Sequence, residues 1–195
     1  MNEILDRRPL LVAIAGPKGA GKTTFFEVFL KAMGLPFVNG DVLAEELELE
    51  PHGAATLARA IREQLVSRHE SFLLETVFSD PVGDKLGFLK TAAQEGYTVI
   101  LCFIGLPSPD VSEQRVAMRV SQGGHDVPTE KLAERFPRTL ANLERAIRDL
   151  PHVWVFDNGD LERPFRKVAV FQNGRQVELH QPVPAWLRPL LPSGS

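Results

Sequence analysis

The sequence is poor in the residues that staple a fold or span a membrane. One cysteine stands among 195 residues, so no internal disulfide can form. That residue, Cys102, lies inside the apolar run Val99-Ile100-Leu101-Cys102-Phe103-Ile104 and reads as a small core residue rather than a nucleophile. No apolar run approaches the ~20 residues of a membrane helix. Residues 1–9 carry no apolar signal region either, so a cytoplasmic protein without a membrane partner is expected. An excess of one charge is also missing. The 22 basic and 25 acidic residues are interspersed and leave a net −3, which speaks against nucleic acid as a partner. No His, Cys or carboxylate cluster has zinc-ligand spacing. The remaining composition, 44% hydrophobic and 24% charged, suits one globular domain over residues 1–195.

Apolar runs and helical spacings alternate along the chain. Leu10-Leu11-Val12-Ala13-Ile14-Ala15 is a near-continuous apolar run that stops at Gly16, the pattern of a central strand buried on both faces. Phe25, Phe26, Phe29 and Leu30 then recur at helical spacing over residues 22–33, up to Gly34. Further strands are expected at Pro36-Phe37-Val38, over residues 71–76 and 97–104, and at Val153-Trp154-Val155-Phe156. Helices are expected around Leu57, Ile61 and Leu65 and over residues 84–94, 111–120 and 129–150. Pro137 should kink or break the last helix, because proline lacks the amide hydrogen and clashes with the preceding turn. The pattern predicts an α/β/α domain with a five-stranded, mainly parallel sheet. A β-hairpin around Asn173-Gly174 follows the core of residues 10–157, within a C-terminal stretch over residues 165–195. The proline-rich tail packs, on this reading, through Trp186 and Leu187.

One motif carries strong chemical information. Gly16-Pro17-Lys18-Gly19-Ala20-Gly21-Lys22-Thr23 is glycine, four residues, then Gly-Lys-Thr, with a strand running in and a helix running out. Glycines permit a tight loop whose amide hydrogens point at phosphate oxygens, and the helix start adds its unpaired amides. Lys22 should reach the β- and γ-phosphates, and the Thr23 hydroxyl should bind Mg²⁺. Lys18 either leans toward the phosphates or is an exposed loop lysine.

Such a loop serves switches, transporters, motors and kinases alike, so the rest of the site must choose among them. No Asn-Lys-x-Asp guanine-reading motif is present, since Asp157-Asn158-Gly159-Asp160 does not supply one. Ser121-Gln122-Gly123-Gly124 has the wrong order for a transporter signature. In a parallel sheet all strands end at one edge, which brings Asp41 and Glu75 to the loop. One carboxylate would hold magnesium and the other would face an acceptor hydroxyl, since phosphoryl transfer needs orientation more than base strength. Arg115 and Arg119, together with Arg135 and Arg138, flank Gly123-Gly124-His125 and could form a closing arm over the transferring phosphate. His125 reads as a turn residue rather than a base. These features point to an ATP- and Mg²⁺-dependent kinase acting on a small-molecule acceptor. The alternatives are a nucleotide-dependent switch or ATPase acting through a protein partner, and a nucleoside or antibiotic kinase.

Several motifs together resemble the zeta toxin-like kinases. They are the phosphate loop through Thr24, Asn39-Gly40-Asp41, Leu74-Glu75-Thr76, Arg115-Val116-Ala117-Met118-Arg119-Val120, Gly123-Gly124-His125-Asp126-Val127-Pro128 and Arg135-Phe136-Pro137-Arg138. The resemblance covers about residues 10–157. It implies Asp41 as general base, Lys22 and Thr23 on phosphate and metal, Glu75 with Thr76 in the acceptor site, and Arg119, Arg135 and Arg138 on the migrating phosphoryl group. It also implies transfer to a hydroxyl such as the 3′-hydroxyl of UDP-N-acetylglucosamine, the acceptor of the toxin branch. The sequence departs from the toxins at Thr76-Val77-Phe78-Ser79, and residues 81–95 leave little room for elaborate sugar-nucleotide recognition. An antitoxin-like partner is not indicated by any residue.

Overall fold

The computed structural model describes residues 2–121 and 129–191. Strands β1 (Leu10–Ala15), β2 (Phe37–Val38), β3 (Phe72–Thr76), β4 (Thr98–Gly105) and β5 (His152–Asp157) pair in parallel in the order β2-β3-β1-β4-β5. The apolar run of β1 places it at the centre, with all six residues fully buried. Its side chains alternate between two cores. Leu11 and Ala13 join Leu74, Leu101 and Phe103 on one face. Leu10, Val12 and Ile14 join Phe25, Phe26, Ile100 and Cys102 on the other.

Helices cover both faces. A short α1 (Asn2–Leu5) precedes β1, and α2 (Lys22–Phe25) follows the phosphate loop. A π-helical stretch, Phe26–Leu30, and a 3₁₀ turn, Lys31–Met33, continue α2 until Gly34 ends it at φ 64°. The widened turn leaves Phe29 exposed among the four predicted apolar positions, its ring resting on Phe25 with centroids 4.9 Å apart. Then come α3 (Gly40–Glu46), α4 (Pro51–Ser67), α5 (Asp84–Gln94), α6 (Pro109–Ser121) and α7 (Thr129–Asp149). No described helix is long and apolar enough to cross a membrane.

One expectation is narrowed and one is corrected. Pro137 does not break α7, which runs continuously through it. Ala133, four residues earlier, is exposed, so the carbonyl deprived of its amide partner faces water. The sheet also has seven strands rather than five, because β6 (Arg166–Gln172) pairs antiparallel with β5 and carries β7 (Arg175–Leu179) beside it. The predicted hairpin is therefore part of the sheet. Its turn residues Asn173 and Gly174 both have positive φ, 49° and 77°, as a type I′ turn requires. The tail does pack through Trp186 and Leu187. The indole lies so close over Gly105, at the end of β4, that any Cβ there would overlap it.

Candidate active site

The phosphate loop connects β1 to α2 at the edge where the parallel strands end. Gly16, Gly19 and Gly21 all have left-handed φ, and a Cβ on Gly16 would overlap the carbonyl oxygen of Ile104. Within the loop the Ala20 amide donates to the Pro17 carbonyl (3.2 Å). The amides of Gly19, Gly21, Lys22 and Thr23 find no acceptor among the described residues, which leaves a set of donors at a helix start.

Side chains from elsewhere hold the loop's carbonyls. Ser112, buried at the start of α6, donates its hydroxyl to the Lys18 carbonyl (2.6 Å). Asn158, buried just after β5, donates from Nδ2 to the Ala20 carbonyl (2.9 Å) and accepts the Phe165 amide on Oδ1 (3.2 Å). Sequence reasoning missed both residues. Asn158 stood in the Asp157-Asn158-Gly159-Asp160 run already set aside as a base-reading motif, and a lone serine early in a helix carries no signal.

The loop's polar residues meet the end of β3. Lys22 is buried, with Nζ donating to the Pro17 carbonyl (3.1 Å) and standing 3.9 Å from Glu75 Oε1. Burial pushes its ammonium below the ordinary lysine value. Glu75 and Asp41 oppose that shift, while Lys18 and Arg119 reinforce it. Thr23 donates its hydroxyl to Glu75 Oε2 (2.9 Å), which also accepts from Asn39 Nδ2 (2.9 Å). The parallel register pairs Ile14 with Glu75, which sets the carboxylate one residue from the end of β3 and beside the loop.

Asn39 caps α3, its Oδ1 accepting the amides of Asp41 (2.9 Å) and Val42 (3.4 Å). This cap fixes the backbone of Asp41 and leaves its carboxylate free. The Asp41 side chain is 75% exposed, with Oδ2 3.8 Å from Lys18 Nζ. Thr76 is turned to local use, accepting the Phe78 amide on its hydroxyl (3.1 Å).

The arginines separate into two kinds. Arg135, half-buried on α7, lines a small cleft with Pro17, Lys18 and Ser112, directly against the loop. Arg119 on α6 is exposed and close enough to Lys22 to lower its proton affinity. Arg138 instead pairs with Glu134 one turn away (3.2 Å), although its Nε has no partner among the described residues. Arg115 is half-buried, its Cβ close to Gly19; burial lowers its proton affinity and Asp157 opposes that. The segment 122–128, with Gly123-Gly124-His125, lies outside the described residues. Cys102 is buried as expected, and burial pushes its thiol up to about 12. Among the described residues no group of three His, Cys, Asp or Glu side chains could hold a metal ion on its own.

Comparison with known proteins bears on the same region. The model of the zeta toxin family matches residues 45–180, a stretch that begins after both the phosphate loop and Asp41. The solved complex AvrRxo1-ORF1:-ORF2 with ATP superposes at a TM-score of 0.68 with 20% identity, over 89% of this chain and 61% of that one. A chain of the PezAT toxin-antitoxin system of Streptococcus pneumoniae gives 0.60 and 17%, over 85% of this chain and 72% of that one. A gluconokinase from Sinorhizobium meliloti 1021 gives 0.50 and 24%, over 82% and 86%. At these identities the likeness shows the fold. The chain spans under two thirds of the AvrRxo1-ORF1:-ORF2 chain that it matches. No curated protein matches its sequence.

Proposed function

The chain belongs to the zeta toxin family, and from that premise we propose that it is a kinase transferring the γ-phosphate of ATP to a hydroxyl of a small metabolite. The observation that carries the proposal is a division of labour between two carboxylates at one sheet edge. Glu75 is tied to Thr23 and Asn39 and faces Lys22, whereas Asp41 is backbone-capped and open to solvent. A switch or an ATPase needs no second, exposed carboxylate beside its phosphate loop.

The residues fit Mg²⁺ held together with nucleotide. Thr23 gives its hydroxyl proton to Glu75, which leaves the oxygen lone pairs free for a cation. Magnesium commonly takes one or two protein oxygens, completing its shell with phosphate and water, so a larger carboxylate cluster is not needed. When bound there it would neutralise charge between the β- and γ-phosphates. The unpaired amides and Lys22 bind and orient the phosphates, and burial of Lys22 keeps its charge from being screened by water. Asp41 accepts the acceptor hydroxyl's hydrogen and aims its oxygen in line with the γ-phosphate. Arg135 and Arg119 stabilise charge on the moving phosphoryl group, with Arg138 a lesser contributor because Glu134 already engages it.

The acceptor is proposed from the family, with a nucleotide sugar such as UDP-N-acetylglucosamine first to be tried. The PezAT and AvrRxo1-ORF1:-ORF2 structures are two-component assemblies, which supports a protein partner for this chain as a subsidiary part of the proposal. The test follows ADP production with ATP and Mg²⁺ while candidate hydroxyl compounds are added. Acceptor-dependent ADP release is the expected result. Steady release that no acceptor changes would move the reading to a switch.

A further inference from the structure

A cavity lies away from the phosphate loop, between α4 and α5. It measures about 480 Å³, within the range of small-molecule sites. Its lining reaches Ser67 and Glu95, at the ends of these helices remote from the active edge, and includes no residue of the loop, β1 or β3. Arg62 gives it its character. This side chain is 8% exposed and its guanidinium lies over the ring of Phe88, 5.7 Å from the centroid. It makes no hydrogen bond or ion pair with any described residue.

The surrounding charges are disposed unevenly. Arg59 is exposed and occupied by Glu63 at 2.8 Å. Lys85, half-buried at the first turn of α5, has its proton affinity lowered by burial and by Arg62. The acidic members of the lining, Glu63, Asp84 and Glu95, are all exposed at the rim. The lining is therefore cationic and aromatic inside, with its own carboxylates exposed, while the half-buried Asp80 partly offsets the charge of Lys85. No guanidinium nitrogen of Arg62 is both sealed from solvent and unpaired, so its donors face the water of the cavity and are open to an incoming oxyanion.

We propose that the α4–α5 cavity is a second binding site, for a small molecule bearing a phosphate or carboxylate, with Arg62 as its anchor and Lys85 as its second cation. The planar fork of Arg62 matches either oxyanion bidentately, and the ring of Phe88 offers an apolar or aromatic portion a surface to lie on. The site is distinct from the proposed kinase centre and stands whether or not that reading holds.

The test titrates the whole protein, saturated with ADP and Mg²⁺ to occupy the phosphate loop, with phenyl phosphate in one arm and benzoate in the other. Amide chemical shifts report where each probe binds. Shifts in α4 and α5 from either probe are expected, and the stronger arm names the oxyanion. Arg62→Met should weaken binding by about tenfold or more, as loss of a charge-assisted pair does, with an unchanged or raised Tm. Lys85→Gln should weaken it less. Shifts confined to residues 16–23, or none in either arm, would overturn the proposal. So would an Arg62→Met protein that loses stability or fails to fold while Lys85→Gln binds as tightly as wild type, because Arg62 would then be structural.

Discussion

Lys22 and Arg62 are the two buried cationic side chains among the described residues, and the fold treats them in opposite ways. Lys22 has a carbonyl at 3.1 Å, a carboxylate at 3.9 Å and a second carboxylate, Asp41, within electrostatic range. Arg62 has an aromatic ring. The difference teaches that burial of a charge does not by itself mark a reaction centre. What marks the phosphate loop is that its cation is partly compensated, surrounded by free amides and set beside an exposed carboxylate. The α4–α5 cavity has the cation without that company, which suits binding and not chemistry.

The largest effect expected comes from removing the compensated cation. Lys22→Ala should lower phosphoryl transfer about 10²–10³-fold, the loss typical of one preorganised stabilising group, as measured by turnover at saturating ATP. Next is the exposed carboxylate. Asp41→Asn should lower turnover about 10²–10⁴-fold with ATP affinity within a fewfold of wild type by calorimetric titration, since nothing places Asp41 on the adenosine or phosphates. Glu75→Gln sharpens the comparison, because it makes Lys22 nearly as unpartnered as Arg62. Chemical denaturation should show a stability loss of about 1–3 kcal/mol, the cost of leaving a buried charge poorly paired, together with weaker Mg²⁺ dependence.

A smaller effect separates the two cations by pH. Because the folded pKa of Lys22 lies below the unfolded one, its charge opposes folding fully at low pH. That penalty is relieved as pH rises through the folded value toward 10.5, where the unfolded chain also gives up its proton. Lys22→Met should therefore exceed wild type in unfolding free energy near neutrality, with the gap closing as pH rises into that window. A gap constant with pH would remove Lys22 as its cause.

How much of this was readable in the sequence depends on whether the cause is local. The phosphate loop was readable because its glycines, Lys22 and Thr23 are neighbours in the chain. The strands β1 and β4 were readable because burial on both faces demands unbroken apolar runs. The tie between Glu75 and Thr23 rests on the pairing of β1 with β3, and only the convergence of strand ends could be anticipated. Ser112 and Asn158 act on backbone carbonyls distant in sequence, and backbone acceptors leave no trace in residue type. Arg62 looks like any arginine on an amphipathic helix until Phe88 of α5 is placed beneath it. That Pro137 leaves α7 unbroken goes with the exposure of Ala133, which a sequence does not display.

The most direct test of the kinase reading supplies γ-labelled ATP and Mg²⁺ to wild-type and Asp41→Asn protein, each with a small-metabolite extract and, separately, with UDP-N-acetylglucosamine. Label transferred to a small molecule by wild type alone is the result this account expects. Label released only as free phosphate, at equal rates from both proteins, would contradict it.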